Sequence, residues 1–394
     1  WLNGSNKVVA YDLPSLVSPT LKWERIQTLD IGGDFGFFNN ELNISFDWYQ
    51  RTTKDMLAPG QTMPDVLGAG APKINAGTLR TRGWELSIDW RHHFNEVNVY
   101  ANASIGDFKT VITKWDNDSQ LLNENYSGKV YGDIWGFETD RYFTKDDFNA
   151  DGSYKEGIAS QKKLEQDGFV YGPGDIKFKD LNNDKEINGG EGTVKDHGDL
   201  KVIGNTTPRY QYGFRLGGEW KGIDIDMFFQ GVGKCDAWTQ SAFVMPMMRG
   251  ADAIYANQAN YWTDENPDPN ADFPRMWPGN AGKGTVSVLD LGNHNFYPQS
   301  KYLVNMAYLR FKNLTIGYTL PKDWTRKVYM DKVRVYFSAN NICELINKSN
   351  APVDPEVNTS EAIANGGNSD YGNGTWGRVD PMYRTVSFGL QVTF

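Results

Sequence analysis

Apolar and polar residues alternate one for one along much of this chain. The cleanest internal run is Glu41 to Thr52. Leu42, Ile44, Phe46 and Trp48 fall on one side of it, and Glu41, Asn43, Ser45 and Asp47 on the other. A period of two puts successive side chains on opposite faces of an extended strand. Gly83 to His92 repeats the pattern, with Trp84, Leu86, Ile88 and Trp90 against Glu85, Ser87, Asp89 and Arg91. So do Val97 to Ile105, Tyr210 to Trp220, Ile223 to Gln230 and Val333 to Asn340, and more weakly Gln27 to Phe37. Val386 to Phe394 alternates strictly and stops on an aromatic. Tyr302 to Tyr318 changes face partway: Leu309 and Phe311 share a side, then Leu314 and Ile316 do. That switch predicts a β-bulge near Lys312-Asn313. Nine strands are predicted.

Their connections alternate in length. Asn39-Asn40, His93 to Glu96 and Lys221-Gly222 are tight turns, and Pro321 to Asp331 is moderately short. Lys54 to Gly77, Thr113 to Pro208, Gly231 to Ser300 and Cys343 to Pro381 are long. An all-β transmembrane antiparallel barrel has this form, with short periplasmic turns and longer extracellular loops. A soluble β-sandwich also alternates. It is disfavoured by strands of about ten to twelve residues, the span of a tilted membrane strand. It is also disfavoured by Trp and Tyr near the ends of the apolar faces, as in interface girdles. On the barrel reading the C-terminus is periplasmic, and residues 113–207 and 231–300 are large extracellular loops. Bacterial single-chain barrels have an even strand number. Nine strands are therefore expected to be the C-terminal part of a longer wall, with the remaining strands upstream of Trp1.

Composition agrees. The 394 residues contain no apolar run of the ~20 residues that a membrane helix needs. Only every second residue of a barrel strand faces lipid. The net charge of −9 argues against nucleic acid, which calls for a basic patch. Two cysteines are too few for a disulfide scaffold. The strands leading to Cys235 and Cys343 have one strand between them, so their bases lie about 10 Å apart and free thiols are expected.

Several sequence blocks resemble the SusC/RagA family of TonB-dependent outer-membrane transporters. They include Asp47-Trp48-Tyr49-Gln50-Arg51-Thr52-Thr53-Lys54-Asp55-Met56-Leu57 and Pro72-Lys73-Ile74-Asn75-Ala76-Gly77 with Gly83-Trp84-Glu85. Others are Gly174-Asp175-Ile176-Lys177-Phe178-Lys179-Asp180, Ile203-Gly204-Asn205-Thr206-Thr207-Pro208, and the stretch Tyr308 to Pro321. The resemblance covers nearly the whole chain. It implies a 22-stranded plugged barrel whose plug, TonB box and other strands lie in an N-terminal remainder. It also implies two partners, the TonB complex and a SusD-like surface lipoprotein, in oligosaccharide or, in some members, peptide uptake. A non-transporting surface binding barrel and a membrane-embedded hydrolase are the rival readings.

Asp180 to Glu191 is the sharpest local motif. Set against an EF-hand loop, its oxygens fall at Asp180, Asn182, Asp184, Asn188 and Glu191, with Glu186 beside them. Calcium favours several hard oxygens at this spacing, and a structural Ca2+ is the expected cofactor. Lys185 departs from the pattern, because it holds the sharp-turn position where glycine is expected. An Asn/Asp-rich surface loop is the plainer alternative. Asp147, Asn149, Asp151 and Gly152 form a shorter echo with no closing carboxylate. The loop aromatics Trp115, Trp135, Trp238, Trp262, Trp277 and Trp376 offer faces for sugar rings. Trp135 and Trp238 are the expected substrate contacts, although such residues also build loop cores. Inward charges such as Asp89, Arg91, Arg209, Arg215, Glu219 and Arg334 are expected to meet water or the plug. His92, His93, His197 and His294 have no nucleophile or second carboxylate at readable spacing, so no catalytic role is expected.

Overall fold

The alternating segments fold as nine antiparallel strands of a single sheet. The structure, a computed structural model, describes residues 16–59, 71–165, 169–239, 241, 244–246, 254–277, 294–357 and 380–394. In chain order the strands are β1 (Arg25–Phe37), β2 (Leu42–Pro59), β3 (Lys73–Phe94), β4 (Val97–Trp115), β5 (Asp133–Phe137), β6 (Thr139–Tyr142), β7 (Ile176–Phe178), β8 (Leu200–Asn205), β9 (Arg209–Trp220), β10 (Ile223–Lys234), β11 (Asp236–Ala237), β12 (Val304–Asn305), β13 (Tyr308–Thr319), β14 (Lys332–Asn347) and β15 (Thr385–Thr393). One short helix, α1 (Lys322–Thr325), lies between β13 and β14. The large sheet runs β1-β2-β3-β4-β9-β10-β13-β14-β15, and the other strands pair in twos outside it.

Register follows the alternation. Leu42, Ile44, Phe46 and Trp48 pair with Trp90, Ile88, Leu86 and Trp84 on one face. Asn43, Ser45 and Asp47 pair with Asp89, Ser87 and Glu85 on the other. The apolar face is exposed: Phe388 is 81% accessible and Leu390 65%. Apolar exposure of this extent in ordered strands fits contact with lipid. Phe214, Phe229 and Phe311 stack across three strands on that face, with ring centroids 4.6 and 4.5 Å apart. The expected bulge is present: register shifts between Phe311 and Asn313, and opposite them between Phe228 and Phe229. It keeps Leu309 and Ile316 on the apolar face despite their odd spacing.

Tight turns occupy one end of the sheet. Lys221 and Gly222 both have positive φ (49° and 86°), as a two-residue type I′ hairpin requires. Asn39, Asn40 and Asn95 also take the left-handed region, which asparagine tolerates best after glycine. At the other end β2, β3 and β4 run to Pro59, back from Lys73 and to Trp115, farther than the alternation indicates. Backbone pairing continues there past the point where one face meets lipid, so the period-two signal fades before the strand does. β14 likewise continues to Asn347, which places Cys343 in the wall and not at the start of a loop. Cys235 and Cys343 are both free thiols.

The hydrophobic core lies in the long connections. Residues 116–208 carry β5 to β8, and residues 235–307 carry β11 and β12. Phe137, Phe143, Phe169, Tyr171, Ile176, Phe178 and Ile187 of the first pack with Met245, Trp262, Ala271, Phe296, Tyr302 and Val304 of the second. Main-chain bonds cross between them: Phe137 N–H donates to Pro298 O (2.8 Å), and Ser300 N–H to Phe137 O (3.1 Å). Tyr171 OH donates to His294 O (2.6 Å) and Tyr142 OH to Ala271 O (2.8 Å). The two connections are one packed loop unit.

Candidate functional site: the polar wall face and the loop unit

The polar face of the sheet is lined by short and charged side chains that mostly satisfy one another. Arg215 pairs with Asp226 (2.7 Å), which also accepts from Tyr100. Arg334 pairs with Asp224, Arg209 with the buried Asp107, and Asn102 donates to Asp89. Arg209, Arg215 and Arg334 therefore have carboxylate partners within the wall itself. Arg91 and Glu219 form no ion pair among the described residues. Asp47 and Glu85 stand directly opposite each other, an unfavourable like-charge pair. They border a groove of about 400 Å³ with Ser45, Tyr49, Ser104 and Asp107. Tyrosines cover the glycine gaps of this face. A Cβ at Gly83 would come within 2.5 Å of Tyr49, and one at Gly217 within 2.3 Å of Tyr100. The result is a smooth, hydrophilic surface.

The loop unit is held at its centre by Asp175, which is fully buried. Its carboxylate accepts from Arg275 Nε (3.0 Å) and Nη2 (2.5 Å), Trp277 Nε1 (2.8 Å), Asn295 Nδ2 (2.8 Å) and Gly172 N–H (2.8 Å). Burial pushes the Asp175 carboxyl above the usual range, and Arg275, Trp277 and Asn295 pull it only part of the way back. Arg275 lies over the Trp277 ring, 4.4 Å from its centroid. The sequence blocks that contain Asp175 are legible, but its side-chain partners Arg275, Trp277 and Asn295 are 100 to 120 residues away. Nothing local in the sequence announces the hub.

Aromatic residues divide between core and rim. Trp262 is buried in the loop core and Trp277 serves Asp175. Trp135 is half-buried, donates from Nε1 to Tyr126 OH (3.0 Å), and its ring lies 5.4 Å from that of His197. Trp238 is half-buried against the loop core. The structure does not bring Trp135 and Trp238 into direct contact with each other. Trp115 ends β4, and Trp376 lies outside the described residues.

The Asp180 loop has the turn geometry of a cation loop. Asp180 accepts from Asn183 N–H (2.6 Å) and Lys185 N–H (2.9 Å), Asn182 from Asp184 N–H (3.0 Å), and Asp184 from Glu186 N–H (2.8 Å). Lys185 holds φ +68°, the left-handed turn for which glycine was expected. Ile187 anchors the loop in the core, and buried Asp199 ties its ends by accepting from Leu181 and Asn188 N–H. The side-chain oxygens thus serve the backbone, and Glu186 pairs with Lys163 (2.6 Å). Glu191 is exposed. Among the described residues no group of three or more His, Cys, Asp or Glu is gathered as a metal would require.

Asp147, from the shorter echo, caps a turn and pairs with Arg141 (2.6 Å). Burial works to raise its carboxyl, but the bonds from Arg141 and Thr144 outweigh burial and hold it at about 2. A carboxyl depressed by folding adds stability above its unfolded value and loses it as pH falls through the folded one. Protonating Asp147 between pH 4 and 2 is therefore expected to cost the loop unit roughly 2 kcal/mol, so Asp147→Asn should lose that much less over this range, as followed by near-ultraviolet circular dichroism.

A sheet that is apolar outside and polar inside, with tight turns at one end and a folded loop unit at the other, is a section of a β-barrel wall. The chain belongs to the TonB-dependent receptor-like β-barrel family, whose model matches residues 3–342. It is 28% identical to TonB-dependent receptor P3 of Formosa agariphila, over 99% of this chain and 36% of that protein. It is 24% identical to the TonB-dependent receptor SusC of Bacteroides thetaiotaomicron, over 87% of this chain and 31% of that protein. Its fold matches the RagAB peptide importer in its open-open state with a TM-score of 0.66 and 21% identity, covering 96% of this chain and 36% of that one. The resemblance to SusC and RagA holds at the level of sequence and fold. The chain spans about a third of the length of these relatives.

Proposed function

We propose that the chain is the C-terminal part of the barrel of a TonB-dependent outer-membrane importer of oligosaccharides, working with a SusD-like lipoprotein. The observation that carries the reading is the two-faced sheet, hydrophilic within and apolar without, crowned by an aromatic-rich loop unit. In this reading the loop unit is extracellular, the turns and the C-terminus face the periplasm, and an N-terminal remainder supplies the plug, the TonB contact and the other strands. Trp135 and Trp238 are the proposed sugar-stacking residues. Trp135 is the stronger of the two, because the ring beside it, His197, has a buried Nδ1 without a partner among the described residues. Replacement of either tryptophan by alanine is expected to weaken oligosaccharide binding about tenfold, a loss of one stacking contact. Isothermal titration of the intact protein reads it, and unchanged affinity in both variants removes the assignment. Peptide import is the second reading, favoured by the fold match to the RagAB peptide importer. Growth of a deletion strain on oligosaccharides against peptides separates the two.

Calcium in the Asp180 loop is a further part of the proposal and rests on the sequence spacing and the left-handed Lys185. Millimolar Ca2+ is expected to raise the melting temperature of the loop unit relative to EDTA, and by more in Lys185→Gly, where the turn is unstrained. Identical melting in both solutions sinks it.

A further inference from the structure

The segment between β13 and β14 is unlike the other turns. It is longer, contains α1, and places Trp324, Val328 and Tyr329 in the open at 61%, 57% and 93% exposure. Tyr329 holds φ +57° at the end of the helical turn, where its N–H donates to Arg326 O (3.2 Å) and Met330 N–H to Thr325 O (3.1 Å), the left-handed cap of a Schellman-type helix end. The side of the wall on which the segment lies can be read from β14. Val333 and Val335 both point to the apolar face: Val335 pairs with Tyr318 and Leu390, and Val333 with Val392 of β15. Val335 is 47% exposed and Val333 only 8%. The element against this end of β14 is α1. The segment therefore folds over the outer face, where the membrane ends. Its exposed apolar residues continue the line of Trp220 and Tyr318 along that rim. Lys322, Arg326 and Lys327 accompany them, exposed and without ion pairs among the described residues. Large aromatics beside unpaired basic groups match a headgroup layer that is apolar on one side and anionic on the other.

We propose that residues 322–329 are a membrane foot that lies in the interface at the turn end of the wall and binds anionic phospholipid headgroups. Trp324, Val328 and Tyr329 sit at the acyl boundary, and Lys322, Arg326 and Lys327 pair with phosphate. The proposal rests on the orientation given above, with the turn end toward the phospholipid leaflet, and is independent of the imported substrate. The test uses the intact outer-membrane protein in nanodiscs. With brominated phosphatidylcholine, Trp324 is expected to be quenched, so that Trp324→Phe loses a quenchable component. An equal quenched fraction in both proteins overturns the foot. In discs that mix phosphatidylglycerol with phosphatidylcholine, the protein is expected to retain phosphatidylglycerol selectively on native mass spectrometry. Each basic group at an anionic surface is worth roughly a fivefold preference. The Lys322→Gln/Arg326→Gln/Lys327→Gln protein, checked for folding by gel heat-modifiability, is expected to lose at least tenfold. Selectivity within twofold of the parent overturns the anionic recognition. An epitope tag at Asn95-Glu96 that is bound by antibody on intact cells overturns the proposal through its orientation and leaves the quenching result as evidence on contact alone.

Discussion

Asp175→Ala is expected to open residues 116–208 and 235–307 together. The substitution strands Arg275 in the loop core and frees the donors of Trp277, Asn295 and Gly172 at once. Removing one partner of a buried ion pair costs about 3–5 kcal/mol, because the remaining charge is left without compensation. Asp175→Asn keeps the shape and some of the acceptor capacity, so a smaller loss is expected. Hydrogen exchange on the intact protein reads the result. Tyr171 and Ile176 in one connection and Phe296 and Val304 in the other should gain exchange to the same degree, while β2, β3 and β4 stay protected. Faster exchange in only one connection would mean that the two loops are separate bodies.

Arg310→Ala should release the stretch around Val353 from the wall. Arg310, almost wholly buried on the polar face near the loop end of β13, faces Glu344 of β14, Asp354 (2.6 Å) and Glu356 (2.9 Å). Lys312 adds a second bond to Glu356 (2.5 Å). Three carboxylates against two cations depend on the guanidinium, which reaches several acceptors from one rigid fork. Its loss leaves Glu344, Asp354 and Glu356 repelling one another, and roughly 3–5 kcal/mol of local stability should go with it. Limited proteolysis should cut near residues 349–357 in Arg310→Ala and not in the parent. Arg310→Lys should be cut nearly as fast, since an ammonium cannot bridge the same set. Resistance in the alanine variant would show that Val353, buried in the loop core, holds the stretch unaided.

The wall was legible in the sequence because lipid on one side and water on the other impose a period of two. Leu42 to Trp48 and Val386 to Phe394 carry that signal strongly. Even the face switch at Lys312-Asn313 could be located, since a bulge shifts the alternation by one residue. The ends of the long strands were not legible, because past the membrane both faces of β3 meet similar surroundings and the period weakens. The loop unit was hidden for another reason. Its core joins Phe137 to Pro298 and Asp175 to Arg275 over separations that no local pattern reports, and β6 and β7 are too short for periodicity. The loop tryptophans were visible as a set, but sequence could not divide Trp262, in the core, from Trp135, at the rim. Lys185 was recognised as standing in a glycine position, and the left-handed backbone found there confirms the shape of the turn. Spacing alone could not report that the loop's oxygens would serve its own amides.

The placement of the core has a consequence for how such a protein can change. Replacing a wall residue on the polar face disturbs partners on neighbouring strands, as Arg215, Asp226 and Tyr100 show. The loop unit packs mostly within itself and meets the sheet mainly where β4, β9, β10 and β13 end, with the stretch around Val353 joining its core from the connection after β14. It can therefore be exchanged as a cassette: a different outer fold spliced at those four strand ends would leave the membrane-facing surface, the register and the turn end untouched. In the proposed reading, new ligand preferences could then arise by exchanging the crown while the wall stays as it is.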